Sequence, residues 1–162
     1  MKENEKIKDT DIIVCVINPD YIPVKQTNWA FAYDLKAREK VVINPWEVKI
    51  VKTWVKVKLP KWVWMLVFSR SSLPMKKHLI VANWVWIVDC DYRWEVWIVL
   101  MNIWIEPTIV LPWERLWQTV FQAELWVDMR DTDIVIETEW FETFEQDYPT
   151  ERWEGWFWST WK

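Results

Sequence analysis

Between Asn83 and Glu95 the chain reads Asn-Trp-Val-Trp-Ile-Val-Asp-Cys-Asp-Tyr-Arg-Trp-Glu. An apolar alternating run (Val85, Ile87, Val88) delivers the carboxylates Asp89 and Asp91, the phenol of Tyr92 and the guanidinium of Arg93 into one turn. A carboxylate held at a strand end can take a proton from water, and a phenol can stack on or block part of a small ligand. Four further polar clusters fall at candidate strand ends: Asp34; Arg70-Ser71-Ser72; Arg115 with Gln118; and Arg152 with Ser159 and Thr160. Arginine with clustered hydroxyls suits phosphate oxygens, because the guanidinium forks onto them. Carboxylates beside phosphates suit a magnesium ion held through waters. A separate carboxylate that activates water completes a phosphoanhydride hydrolase. Taken singly, each cluster reads as solvated surface; five of them in one chain form a pattern.

The elements that must position these groups are strands. Apolar runs occur at Ile12–Ile17, Val63–Phe68, Leu79–Ala82, Val96–Ile103, Ile109–Leu111 and Arg115–Leu125, and turn signals such as Asn18-Pro19-Asp20 and Asn44-Pro45 separate them. Val48–Leu59 alternates clearly and reads as one half-buried strand, with Val51, Thr53, Val55, Val57 and Leu59 inward and Lys52, Trp54, Lys56 and Lys58 outward. Thr132–Glu139 is a further strand candidate, and a short helix fits after Arg70. No segment sustains a helical period. The fold class is all-β, a sandwich or jelly roll. The chain reads as one domain over 1–162, with a core of about 10–147 and a polar, aromatic tail over about 148–162.

Composition narrows the function. A net charge of −4 argues against a nucleic-acid binder. No apolar run is long enough to cross a bilayer, and the opening MKENEKIKDT has no signal-peptide core. Cys15 and Cys90 form no disulfide framework, and His78 cannot build a zinc site with them, so a reducing, cytoplasmic setting is expected. The abnormal numbers are 18 Trp and 1 Gly; a chain of this length ordinarily holds about eleven Gly.

With these motifs in place, the chain resembles the trimeric dUTPase (deoxyuridine triphosphate nucleotidohydrolase) family from about Asp20 to Trp161. The first motif is matched by Ala32–Ala37, the second by Arg70–Leu73, the third by Asn83–Glu95, the fourth by Glu114–Gln118 and the fifth by Arg152–Trp161. The resemblance implies a homotrimer of jelly-roll subunits that hydrolyses dUTP to dUMP and pyrophosphate with Mg2+. It implies Asp89 as the base that activates water, Tyr92 under the deoxyribose, and Asn83 at the uracil edge. It implies Asp34 toward magnesium through water, and Arg70, Ser71, Ser72 and Gln118 on phosphate oxygens. Phe157 would stack on uracil, while Arg152, Ser159 and Thr160 clamp the terminal phosphates. No nucleic acid or membrane partner is implied. The interval between Gln118 and Arg152 is long and carries an acidic insertion near Asp128–Asp147, expected to be a solvated loop. Alternatives are a deoxycytidine triphosphate deaminase of the same fold and a Trp-rich carbohydrate-binding sandwich.

The resemblance also gives the tryptophans an order. Trp46, Trp54, Trp62, Trp84 or Trp86, Trp94, Trp113, Trp153, Trp156, Trp158 and Trp161 stand where the family carries Gly. A gene that uses UGA for Gly, translated with UGA as Trp, produces this pattern. Bulk forced into a packed site costs about 1–3 kcal/mol, and a left-handed backbone about 1–2 kcal/mol more. If nine sites are so constrained, the cost exceeds the roughly 5–15 kcal/mol stability of a domain. The chain as written is therefore expected to fold poorly or to lose its site.

Overall fold

The computed structural model describes residues 7–130, 132–139 and 141–150. In chain order these form β1 (Ile12–Val16), β2 (Tyr33–Lys36), β3 (Val41–Ile43), β4 (Val48–Lys52), β5 (Val55–Lys58), β6 (Val63–Ser69), α1 (Ser72–Lys77), β7 (Leu79–Val81), β8 (Trp86–Val88), β9 (Trp97–Asn102), β10 (Thr108–Val110), β11 (Arg115–Ala123), β12 (Ile134–Glu137) and α2 (Phe144–Asp147). The sheets have the orders β2-β11-β6-β8, β4-β9-β7, β12-β1-β5 and β10-β3. This is the all-β, jelly-roll-like architecture that the strand pattern implies. Among the described residues, no helix is long and apolar enough to cross a membrane.

Period-two alternation accounts for the central strands. On β6, Val63, Met65 and Val67 are buried while Trp64, Leu66 and Phe68 are half-buried; on β9, Ile98, Leu100 and Asn102 point inward. Asn102 is tolerated there because its amide donates to the Ile43 and Glu106 carbonyls at 2.9 and 2.7 Å, and its oxygen accepts from the Trp104 N–H at 2.9 Å.

Three expectations are corrected. Val48–Leu59 is not one strand. Trp54 has φ 58, a left-handed conformation that no strand can carry, so the chain turns there and β4 and β5 join different sheets. The Thr53 hydroxyl, donating to the Val96 carbonyl at 2.6 Å, and the Trp54 N–H, donating to Glu95 Oε1 at 2.9 Å, hold the turn. Second, Lys56 is not a solvent-facing residue: it is 6% exposed. Third, the acidic insertion is not a solvated loop, and the strand candidate Thr132–Glu139 within it holds. Its residues 134–137 form β12, which pairs in parallel with β1 from Ile12↔Ile134 to Cys15↔Glu137.

The reason lies in β1, whose sequence Ile-Ile-Val-Cys-Val is apolar on both faces. Ile12, Val14 and Val16 enter the main core. Ile13 and Cys15 pack instead with Phe141 and Phe144 of the insertion. Burying Phe144 contributes roughly 1.5–3 kcal/mol. Lys56 is buried because the insertion covers it: its ammonium donates to the Phe141 carbonyl, lies 4.3 Å from that ring's centroid, and pairs with Glu145 at 3.1 Å.

Candidate active site

Sheet register assembles the first group. Asp34 on β2 lies opposite Gln118 on β11, and Gln118 lies opposite Phe68 on β6. Arg70 follows β6 and donates its backbone N–H to the Leu116 carbonyl at 3.0 Å. Arg70 Nε then stands 3.3 Å from Asp34 Oδ1, and Arg115 Nη1 stands 3.4 Å from Oδ2. Asp34, which taken singly reads as solvated surface, is 5% exposed; two guanidiniums compensate its burial. Arg70 Nη1 also donates to the Arg115 carbonyl at 3.1 Å. Beside this group opens a cleft of about 370 Å³ lined by Arg70, Ser72, Lys76, Lys77, Glu114 and Arg115. Its excess of cationic groups suits a polyphosphate. Ser71 is exposed at the start of α1. The contribution of Lys76 and Lys77 to this cleft was not anticipated; both follow directly on the Arg-Ser-Ser run.

The second group is carried by β8 and the turn after it. Asn83 and Asp89 are exposed. The Tyr92 N–H donates to the Asp89 carbonyl at 3.1 Å, closing the turn. Tyr92 is 2% exposed, donates its hydroxyl to the Glu95 carbonyl at 2.7 Å, and packs its ring edge-on to Trp94 with centroids 5.5 Å apart. Arg93, to which the sequence assigned no role, is 8% exposed. Its Nη1 donates to the Cys90 and Tyr92 carbonyls at 2.7 and 2.8 Å, and its Nε to the Tyr148 carbonyl at 3.0 Å. Burial pulls its pKa below the usual arginine range, while Cys90 and Asp91 oppose that shift. Trp86, three residues before Asp89 on β8, packs against Trp97 of β9 with ring centroids 4.5 Å apart.

The two groups lie at opposite ends of β6. Val88 is opposite Met65, so Asp89 continues toward the start of β6 while Arg70 follows its end. Six residues of strand at about 3.3 Å each separate them by roughly 20 Å. One copy of the chain therefore presents a basic cleft and an acidic turn that do not meet along the sheet. The sequence-derived tail residues Arg152, Phe157, Ser159 and Thr160 lie outside the described residues.

An all-β sandwich with a basic cleft at one strand end and an acidic turn at the other defines a jelly-roll enzyme of phosphate chemistry. A sequence model of the dUTPase family matches residues 15–141, and the chain belongs to that family. It is 30% identical over 113 residues to the deoxyuridine 5'-triphosphate nucleotidohydrolase of Lactococcus lactis subsp. lactis, covering 66% of this chain and 75% of that one. It is 28% identical over 141 residues to the protein of the same name from Corynebacterium diphtheriae, covering 85% and 91%. Among solved structures, the dUTPase from Streptococcus mutans superposes with a TM-score of 0.65 at 28% identity, covering 70% of this chain and 93% of that one.

Proposed function

We propose that the protein is a dUTP diphosphatase, hydrolysing dUTP to dUMP and pyrophosphate by water attack on the α-phosphorus. Family membership and the named relatives favour this over the deaminase and carbohydrate-binding alternatives. The observation that carries the mechanism is the separation of Asp89 from the Arg70 cleft along β6. A complete site then needs the turn of one copy beside the cleft of another, which supports a homotrimer with sites at subunit interfaces. We place it as a single cytoplasmic domain with its tail over about 148–162.

In this mechanism Asp89 orients the attacking water and takes its proton. The ring of Tyr92, fixed by its bond to Glu95, packs under the deoxyribose and leaves no room for a 2′-hydroxyl. Asn83 and the adjacent backbone read the uracil edge; a wrong base would leave polar groups unpaired there. Arg70, Ser71, Ser72 and Gln118 hold phosphate oxygens. Phe157 stacks on the base, while Arg152, Ser159 and Thr160 clamp the outer phosphates. Among the described residues no three His, Cys, Asp or Glu side chains converge as a metal cage. Asp34 already shares its carboxylate with two arginines. These residues fit a magnesium ion that arrives on the triphosphate and meets Asp34 through water, not one held by protein alone. When bound, the ion neutralises charge on the phosphates.

Pyrophosphate release from dUTP, UTP and dCTP with Mg2+, with ammonia followed in parallel, tests the assignment. Turnover of dUTP alone is expected. Replacing Asp89→Asn should lower kcat by about a thousandfold or more while leaving assembly intact. Ammonia release from dCTP would support the deaminase reading instead.

A further inference from the structure

Glu95 closes the stretch that opens at Asn83, and its side chain has no part in the mechanism above. That side chain is 14% exposed, and both carboxylate oxygens are engaged. Oε1 accepts the Trp54 backbone N–H at 2.9 Å, and Oε2 accepts Arg38 Nη1 at 2.7 Å. Arg38 is itself held on several sides. Its backbone N–H donates to the Lys52 carbonyl at 2.8 Å, and its carbonyl accepts the Tyr21 hydroxyl at 3.3 Å. Its guanidinium lies over the Trp54 ring, 3.3 Å from the centroid. The next residue, Val96, is clamped to the same β4–β5 turn. Its N–H donates to the Val55 carbonyl at 2.7 Å, and its carbonyl accepts the Thr53 hydroxyl at 2.6 Å. The Glu95 carbonyl sits between these anchors, and it is this carbonyl that accepts the Tyr92 hydroxyl.

We propose that Glu95, held by Arg38, is a positioning residue that sets the tilt of the Tyr92 ring and with it the selection of deoxyribose over ribose. The place calls for a carboxylate, which accepts from a backbone N–H and from a cation at once. A glutamine would offer its oxygen to one partner and N–H donors to the other. The bond to Arg38 is charge-assisted, the stronger kind of hydrogen bond. A shift of the Glu95 main chain moves the acceptor of the phenol, and the ring with it. A 2′-hydroxyl adds one oxygen, so a displacement of about 1 Å is enough to make room for it. Arg38, Trp54, Tyr92 and Glu95 belong to one copy of the chain, so the device is the same whichever copy supplies the phosphate cleft. Trp54 contributes a backbone N–H, which glycine at that position would also supply. The inference rests on the functional reading above, in which the Tyr92 ring excludes a 2′-hydroxyl.

The test is pyrophosphate release from dUTP and from UTP by the full-length chain, read as the ratio of the two kcat/KM values. Glu95→Gln keeps the size of the side chain but cannot serve both partners. The ratio should fall about fivefold, the size of one lost hydrogen bond. Arg38→Gln reaches the same pair from its more exposed partner; it should lower the ratio similarly, and it decides the matter if Glu95→Gln does not fold. The deciding measurement is Glu95→Gln in a Tyr92→Phe background, which keeps the ring and removes the hydroxyl. If Glu95 acts through that hydroxyl, Glu95→Gln then changes the ratio by less than about twofold. Variants slowed equally on both nucleotides, with the ratio unchanged, show a structural role only. That result, or multiplicative effects with Tyr92→Phe, overturns the positioning role while leaving the diphosphatase assignment standing. A parent chain that releases pyrophosphate from neither nucleotide overturns that assignment, and the positioning role with it.

Discussion

Tryptophan occupies two kinds of place in this fold, and each costs the molecule in a different way. At the turns, Trp46, Trp54, Trp62, Trp84 and Trp113 have φ between 58 and 67. Four of these side chains are largely in solvent: Trp46 is 62% exposed, Trp62 59%, Trp84 88% and Trp113 56%. Their cost lies in the backbone, where a Cβ meets a carbonyl oxygen, at about 1–2 kcal/mol each. On the strands the cost is space. Trp86 of β8 and Trp97 of β9 pack two rings together near the Asp89 turn. Trp117 is fully buried where the β2–β11 register shifts, and its indole N–H finds no acceptor among the described residues. The turns carry the tryptophans in a left-handed backbone; the strands carry them packed in the interior.

The contrast also corrects the energetic expectation drawn from sequence. Overpacking does not arise at the four solvent-exposed turns, so strain there reduces to the left-handed backbone. Five such positions still consume a sizeable part of a domain's roughly 5–15 kcal/mol. His78 is the only other described non-glycine residue with positive φ, at 53, where it caps α1 with its N–H on the Pro74 carbonyl. Histidine is among the residues that tolerate this region; tryptophan is not.

Substitutions can sharpen or break this division. The largest effect should come from opening the strands at the site. Trp86→Gly with Trp97→Gly removes both packed rings, and kcat/KM for dUTP should rise by about a hundredfold if a flat base belongs in that space. No gain would mean that the rings do not obstruct the ligand. At the turns, Trp46→Gly, Trp62→Gly, Trp84→Gly and Trp113→Gly should each raise stability in urea by about 1 kcal/mol. Trp29→Gly is the control, because Trp29 is 96% exposed and has no positive φ. An equal gain at Trp29 would attribute the effect to removing exposed indole and not to φ. The smallest effect is Trp117→Phe, which deletes the buried donor and keeps the ring; a gain of about 1 kcal/mol is expected. At the genetic level, UGA codons should stand at the left-handed positions, and UGG codons there would contradict the glycine reading.

Legibility in the sequence follows the same line. β1, β6, β9 and β11 were readable because their residues alternate or run apolar without interruption, and α1 because it follows the Arg-Ser-Ser turn. The break between β4 and β5 was hidden because Trp54, a good strand former by type, stands where Gly would have announced a turn. Trp84 and Trp86 could not be separated by resemblance; φ of 67 at Trp84, against a strand conformation at Trp86, now separates them. The burial of Asp34 depends on Arg70 and Arg115, which lie far away in sequence, and no local pattern reports such a pairing. The insertion misled because its acidic residues outnumber Phe141 and Phe144, while its strand pairs in parallel with β1 across more than a hundred residues. Arg93 lay within the most specific motif, yet its partners are backbone carbonyls, which leave no mark on a sequence.

The most direct test of the whole account is pyrophosphate release from dUTP by two chains measured side by side. One is the chain as written. The other carries Gly at Trp46, Trp54, Trp62, Trp84, Trp86, Trp94, Trp113, Trp153, Trp156, Trp158 and Trp161. We expect the glycine-bearing chain to hydrolyse dUTP and the written chain to be slower by at least about a hundredfold. Equal rates would show that the tryptophans at these positions impede nothing, and would contradict the account at its centre.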